Sequence, residues 1–178
     1  LEDSALDVNL SQPPSSGTYV KGTDDVDIAG FSFEAGDASD MEVTAITFMG
    51  RTDDATHTAF GDDGGNVRDK LSSCSIVDSG SGAVIDGPES FAAGVPANIV
   101  FSGFSWTIPA GSTSKMLVRC DLSNIDVTNA DTDAVAVMID GTGDITARDG
   151  DGDSVTPTFN DGADTDVNGA AAVDPTVY

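Results

Sequence analysis

Basic residues are scarce in this sequence, which has 7 Lys and Arg against 31 Asp and Glu and a formal net charge of -24. Because proteins bind nucleic acid phosphates with clusters of Lys and Arg, we expect no nucleic acid partner. All but four of the acids are Asp, which forms turns and ligates calcium, whereas Glu favours helices. The acidity therefore predicts a loop-rich chain that either binds calcium as a cofactor or is adapted to a saline habitat.

Long apolar runs and helical periodicity are also missing. No apolar run approaches the roughly 18 residues that a membrane-spanning helix needs, so we expect no membrane span in this chain. The length of 178 residues fits one domain with a real core. The chain begins at Leu1 without Met, and we expect it to be a processed or excised piece.

Short stretches of alternating apolar residues recur through the first two-thirds of the chain, as in β-strands. These positions are Leu6, Val8 and Leu10; Val26, Ile28, Phe31 and Phe33; Val43, Ile46 and Phe48; Ile99, Phe101, Phe104, Trp106 and Ile108; Met116, Val118, Cys120 and Leu122; and Val135, Val137 and Ile139. The alternation slips between residues 43 and 46, at Ala29-Gly30 and at Ser102-Gly103, and a slip at Gly predicts a β-bulge. Strands are also expected at 71–77 and 83–86, joined by a hairpin connection at 78–82.

The spacing of these strands is typical of an all-β, antiparallel β-sandwich of about seven to nine short strands. The polar stretch 51–70 is expected to be a long loop. We place the sandwich domain at residues 1–156, and an acidic, loop-rich C-terminal extension or linker strand at 157–178.

The two cysteines, Cys74 and Cys120, each lie in a strand-like run. An even number of cysteines in an acidic, surface-type chain predicts a disulfide between them. The alternative is a pair of buried free thiols in a reducing compartment.

Alternating acids in the stretch Asp-Gly-Asp-Gly-Asp-Ser are the strongest candidate for a metal site, because their carboxylates can converge on one hard cation. The candidate calcium ligands are Asp149, Asp151, Asp153 and Asp161. An EF-hand is not expected, since Ser154 stands where that loop has Gly and Asn160 where it has Glu. The alternative is a solvated acidic turn.

No residue set has the spacing of a catalytic centre, so we expect that the protein is not an enzyme. The only histidine, His57, has no Cys or His partner at zinc-ligand spacing, and no Gly-x-Ser-x-Gly motif occurs. A Gly-rich phosphate-binding loop with Lys is also missing. Phe104, Trp106 and Ile108 are candidates for a sugar-stacking face, but their alternation with Ser and Thr favours core packing.

Several stretches share a further pattern with a known group of modules. They are Ala5–Leu10, Val20–Phe33, Met41–Phe48, Phe104–Lys115 with its Ile-Pro-Ala-Gly turn, Leu117–Leu122 and Asp144–Val155. In these stretches the chain resembles Ig-like β-sandwich modules of prokaryotic cell-surface and pilus-type (extracellular filament) proteins. The resemblance implies an Ig-like sandwich that is repeated in tandem or mounted on a filament, with a scaffolding or adhesive role.

We therefore expect a structural subunit or repeat module of an extracellular filament, pilus or surface layer. Its partners would be other copies of itself, in a homopolymer, or sibling modules in a longer chain, because an open sheet edge accepts an added strand. The expected assembly residues lie near the two termini and are Leu6, Val8, Leu10, Val173, Val177 and Tyr178. The alternative function is a calcium-dependent adhesin or carbohydrate-binding module at the cell surface.

Overall fold

Two packed β-sheets make up most of the computed structural model, which describes residues 4–12, 14, 19–53, 60–61, 67–94, 96–123 and 135–160. The strands are β1 (Leu6–Leu10), β2 (Val26–Ala35), β3 (Met41–Asp53), β4 (Phe60–Gly61), β5 (Leu71–Asp78), β6 (Val84–Glu89), β7 (Ala97–Ile108), β8 (Thr113–Leu122), β9 (Val135–Met138), β10 (Ile145–Asp149), β11 (Ser154–Val155) and β12 (Thr158–Phe159). A four-residue helix, α1 (Val67–Lys70), and a 3₁₀ helix at Thr142–Asp144 complete the described elements. Neither helix is long and apolar enough to cross a membrane.

The first sheet has the strand order β12-β1-β2-β8-β5-β6. Its neighbouring strands are antiparallel except β12, which pairs in parallel with β1 through Thr158 and Phe159. β12 lies beyond residue 156, the expected end of the sandwich domain. The described sandwich therefore includes the chain up to this strand.

The second sheet is organised around β3, whose 13 residues pair with four other strands. β7 pairs with residues 41–50 of β3, while β10 pairs with residues 41–46 and β9 with residues 49–52. Some β3 residues that pair with β7 also pair with β9, and others also pair with β10. β9 and β10 therefore lie end to end along the edge of β3 opposite β7. β4 pairs with the last two residues of β3, and β11 extends the sheet beyond β10.

The inward faces of the two sheets form one hydrophobic core. Phe31 of the first sheet packs on Phe48 of the second, with ring centroids 5.3 Å apart, and Phe48 packs edge-on against Phe101 at 6.1 Å. Phe33 and Trp106 make a second aromatic contact between the sheets at 5.2 Å. The all-β sandwich expected from the alternating apolar residues is therefore confirmed.

The β-bulges expected from the parity slips are confirmed as shifts in strand register. In β2 the pairing with β8 shifts between Asp27 and Ala29, just before the expected position at Ala29-Gly30. Between β3 and β7, the pair Val43–Trp106 is followed by Ala45–Ser102, so β7 carries two extra residues there. Gly103 lies in this bulge with φ of +85°, a backbone conformation that L side chains rarely adopt.

The expectation of one long loop over 51–70 is wrong at both of its ends. β3 continues to Asp53 and pairs with β9, and Thr52 within it is fully buried although polar. Near the other end, α1 places Val67 against Gly50, where an added Cβ would come within 2.8 Å of Val67 and of Phe91. Tertiary packing therefore orders polar residues that carry no strand or helix pattern of their own.

Strand length and strand alternation also differ from the expectation. Nine strands of the described part have four or more residues, as expected, but β3 and β7 reach 13 and 12 residues and are not short. In β9 both faces are buried, since Ala136 and Met138 are covered as well as Val135 and Val137. β9 is therefore not the half-exposed strand that its alternation indicated.

The predicted disulfide between Cys74 and Cys120 is confirmed. The two residues pair directly across β5 and β8, with their sulfur atoms 2.02 Å apart, and both are 1% exposed. The bridge closes a sequence separation of 46 residues within the first sheet. Burial and direct strand pairing indicate a structural role for this disulfide.

We expect the double variant Cys74→Ala/Cys120→Ala to lose about 4 kcal/mol of unfolding free energy, because the unfolded chain regains the entropy of an open loop. Urea unfolding followed by circular dichroism measures this loss. The wild type should fall to the stability of the variant when a reductant is added, and the variant should not respond to the reductant. Equal stabilities of the oxidised wild type and the variant would contradict this role.

We expect Phe101→Ala to cost about 3–5 kcal/mol of unfolding free energy, because it leaves a cavity beside Phe48 between the sheets. Val100 is its matched control, since it is the preceding residue of β7 and its side chain is 55% exposed. Val100→Ala should cost about 1 kcal/mol or less. Similar losses for the two variants would show that the aromatic contacts do not hold the sheets together.

Candidate functional site

The acidic turn after β10 is organised around the side chain of Asp149. One of its carboxylate oxygens accepts hydrogen bonds from the backbone N–H groups of Asp151, at 3.1 Å, and Asp153, at 2.9 Å. The other oxygen accepts a bond of 3.1 Å from the hydroxyl of Ser4. The pKa of Asp149 is lowered from its usual value, first by the N–H of Asp153 and further by Ser4 and Asp151. Asp149 therefore acts as the acceptor that fixes this turn.

A convergence of the candidate calcium ligands is not seen in the described part of the chain. No group of three or more His, Cys, Asp or Glu side chains among the described residues is placed to hold a metal ion. Asp149 binds the backbone of Asp151 and Asp153, and Asp161 lies outside the described residues. Calcium binding at this turn stays a prediction.

Three turns and the start of the described chain meet at one end of the sandwich. The hydroxyl of Ser39 accepts a hydrogen bond of 2.8 Å from the N–H of Gly150, which joins the β2–β3 and β10–β11 turns. Asp40 accepts a bond of 2.8 Å from the N–H of Ala110 in the β7–β8 turn. Ser4, bound to Asp149, lies at the same end, which we call the entry end.

The expected assembly strand β1 is paired within its own chain. The side chains of Leu6 and Val8 are buried in the core, and Leu10 is partly buried against it. The N–H of Ser11 donates to Gly30 at 2.8 Å and the N–H of Gly36 donates to the carbonyl of Ala5 at 3.0 Å. In an antiparallel pair, the backbone N–H and C=O groups of successive residues point alternately toward the partner strand and away from it. Because Ala5 and Ser11 bond to the β2 side, the odd-numbered residues of β1 face β2 and the even-numbered residues face outward.

The outer edge of β1 is paired with β12 only opposite Asp7 and Val8, as far as the described residues show. The outward backbone groups of Leu10 lie beyond this two-residue pairing. The other expected assembly residues, Val173, Val177 and Tyr178, lie outside the described residues, as does His57.

The described chain enters and leaves the sandwich in the same direction. β1 runs away from the entry end, and β12 runs parallel to it, with Thr158 opposite Asp7 and Phe159 opposite Val8. Asn160 is consequently directed toward the opposite end of the sandwich.

Sequence reasoning missed a polar contact between the sheets at Asp78, the last residue of β5. One carboxylate oxygen accepts a hydrogen bond of 2.9 Å from the indole N–H of Trp106, and the other binds the backbone N–H and hydroxyl of Ser81 at 2.6 and 2.8 Å. Trp106 is 7% exposed and packs on Phe33, so its side chain belongs to the core and is not a sugar-stacking face. Burial alone would raise the pKa of Asp78, but the bonds from Ser81, Trp106 and Gly80 outweigh it and lower the pKa.

A second feature missed from the sequence is an open depression of about 440 Å³ on the outer face of the first sheet. It is lined by Pro14, Tyr19, Thr23, Asp24, Asp25, Val26, Asp27, Ser79 and Leu117. Leu117 is 9% exposed yet lies outside the core cluster, because its side chain points away from the core. The β1–β2 connection, which carries Tyr19, therefore reaches this outer face.

The carboxylate of Asp27 in this depression is bound by a cation from β8. Arg119 Nε lies 2.7 Å from one oxygen and a terminal guanidinium nitrogen lies 3.3 Å from the other, a two-pronged pair that holds Asp27 in one orientation. The pKa of Arg119 is raised, first by its hydrogen bond to Asp27. The sequence indicated no binding site here, since the lining of the depression comes from separate parts of the chain.

Comparison with protein-family models, with curated proteins and with solved structures gives no match to this chain.

We expect Asp78→Asn to destabilise the fold by about 2 kcal/mol at neutral pH, because an amide cannot accept all three hydrogen bonds and carries no charge. The pKa of Asp78 is lower in the folded state than its ordinary 3.8, so its contribution is present above that value and is lost as the pH falls through the folded pKa. Melting temperatures measured across this pH range test the expectation.

The difference in melting temperature between wild type and Asp78→Asn should therefore shrink toward acid pH. Glu89→Gln is the control, since Glu89 is exposed on the neighbouring strand β6 and its removal should leave the melting temperature close to that of the wild type at neutral pH. A difference that stays constant with pH would show that the charge of Asp78 does not contribute.

Proposed function

We propose that this protein is a structural subunit or repeat module of an extracellular filament, pilus or surface layer, whose copies join end to end through a terminal segment. The parallel pairing of β1 and β12 carries the proposal, because it directs the described chain from one end of the sandwich to the other. A module with this path can be placed in a linear series without reversal of the chain between neighbours.

The disulfide supports the extracellular or cell-surface location. Disulfides form and persist in oxidising surroundings and are rare where thiol reductants are abundant. Cys74 and Cys120 are both buried and bridged, and no free cysteine remains in this sequence. A buried bridge of this kind favours a durable module that works outside the cell.

The edge of the first sheet supports the proposed mode of joining. The even-numbered residues of β1 present backbone groups outward, and β12 pairs there only at Asp7 and Val8. Beside β12 lies an open depression of about 510 Å³ lined by Asp140, Gly141, Thr142, Gly143, Pro157, Thr158 and Phe159. A strand added along β1 would gain main-chain hydrogen bonds, and we propose that side chains such as Val173, Val177 or Tyr178 would enter this recess, where Pro157 and Phe159 supply the apolar contacts.

In this proposal, calcium reduces the electrostatic repulsion between copies of the chain. A chain with a net charge of -24 repels its own copies, and divalent cations bound at acidic ends would reduce that repulsion. The entry end carries Asp37, Asp40, Asp149, Asp151 and Asp153, so calcium would act there, at the contact between successive copies.

We expect the wild-type protein to form oligomers that grow with protein concentration and with added calcium, as size-exclusion chromatography with light scattering measures. Deletion of residues 161–178 should leave monomers, because it removes the proposed donor segment. Leu10→Pro should also leave monomers, since it removes an N–H that points to the outer edge of β1 and spares the bonds to β2.

Asn9→Pro is the matched control for the edge variant, because the N–H of Asn9 points toward β2. It should lower the melting temperature, whereas Leu10→Pro should leave it within a few degrees of the wild type. A wild type that stays monomeric at every concentration, with calcium and with chelator, would sink the proposal. Assembly that survives the deletion would exclude joining through the terminal segment.

A further inference from the structure

We propose that the depression lined by Tyr19, Asp24 and Asp25 binds an uncharged saccharide, a function beyond end-to-end assembly. Its volume of about 440 Å³ lies in the range of small-molecule sites, roughly 300–1,000 Å³. The lining combines an aromatic ring, an apolar floor and a polar rim. These are the features that let a protein bind the apolar faces and the hydroxyl edges of a sugar ring together.

The apolar part of the site comes from two places in the chain. Tyr19 is 43% exposed, which leaves part of its ring accessible to a ligand, and the buried side chains of Pro14 and Leu117 lie in the same depression. The C–H faces of a pyranose ring are apolar enough to pack on such a surface. Tyr19 is also one of only two tyrosines in the chain, and most other aromatic side chains of the described part are in the core.

The polar part of the site is a rim of carboxylates and hydroxyls from Thr23, Asp24, Asp25 and Ser79. A carboxylate accepts two hydrogen bonds side by side, which suits a pair of neighbouring sugar hydroxyls. Ser79 adds a hydroxyl that both donates and accepts, whereas the hydroxyl of Thr23 donates to the carbonyl of Val20 at 2.6 Å and is left as an acceptor. These groups can therefore form hydrogen bonds with the hydroxyls along one edge of a sugar ring.

The charges of the site favour an uncharged polyol over a cation. Asp27 already holds its cation, since Arg119 binds both of its oxygens at 2.7 and 3.3 Å. Asp24 and Asp25 are exposed, and an ion pair at an exposed site is worth only about 0–1 kcal/mol because water and salt screen it. Hydrogen bonds to hydroxyls do not depend on that attraction.

The position of the rim is fixed before any ligand arrives. Asp25 has φ of +58°, which is uncommon for a residue other than Gly, and its N–H donates to the carboxylate of Asp121 at 3.0 Å. Asp121 belongs to β8, as does Arg119, so the loop is tied to the sheet that forms the floor. A loop held in this way loses little further freedom when a ligand binds.

An array of immobilised glycans probed with fluorescently labelled, disulfide-intact protein tests this inference. We expect the wild type to be retained on a subset of glycans, and retention to persist in the presence of moderate salt. Tyr19→Ala should weaken it about tenfold, because the stacking surface is lost, whereas Tyr19→Phe should stay within about threefold. Asp24→Ala should also weaken retention, and Val100→Ala, an exposed change on the other sheet, should not.

The melting temperatures of the variants show whether a loss of binding comes from unfolding. Retention of the wild type on no glycan would overturn the inference, as would equal retention of the wild type and a folded Tyr19→Ala. Binding to immobilised spermine that salt abolishes, with no glycan retained, would identify the site as a cation site. Because the monomeric variant Leu10→Pro should still bind glycans, failure of this inference is distinguishable from failure of the assembly proposal.

Discussion

The contact between Phe31 and Phe48 joins the two sheets, and the rest of the fold depends on it. Aromatic residues are only 6% of the sequence, and six of them lie in the core, where aliphatic side chains surround them. A net charge of -24 has to remain outside this space, and in the described chain the one buried polar side chain is Thr52. Strand alternation meets both requirements, because it directs apolar residues inward and the acids of β2 and β8 outward.

The open sides of the sandwich are joined by a different set of interactions. On one side, Asp78 at the end of β5 binds Trp106 of β7, and Asp86 of β6 accepts a bond of 3.1 Å from the N–H of Ser102. On the other side, the chain itself crosses between the sheets, from β11 to β12 through residues 156–157. The two sheets therefore share polar and covalent links at both edges, beyond the hydrophobic core between them.

Sequence alternation predicted the longer strands and the bulges, and the even number of cysteines predicted the disulfide. Each of these features depends on residues close together in the chain or on chemistry that composition reveals. Prediction from the sequence failed where contacts between distant parts of the chain determine the structure. Val67 of α1 packs where Gly50 leaves room for its side chain, and Tyr19 and Leu117 line one depression only because the β1–β2 connection carries Tyr19 to the outer face of the first sheet. The depression on the first sheet could not be predicted from the sequence for the same reason, since no sequence pattern links Tyr19, Ser79 and Leu117.

The hydrogen bonds also change how the excess of Asp over Glu is explained. Five aspartates each accept a bond from a backbone N–H in a turn or loop, namely Asp40, Asp78, Asp121, Asp144 and Asp149. Asp86 accepts one from its strand neighbour Gly87. The short side chain of Asp reaches nearby backbone donors that the longer Glu misses, and for this reason Asp favours turns. A part of the acidity is therefore structural and needs no bound cation. Calcium or a saline habitat has to account only for the carboxylates that remain.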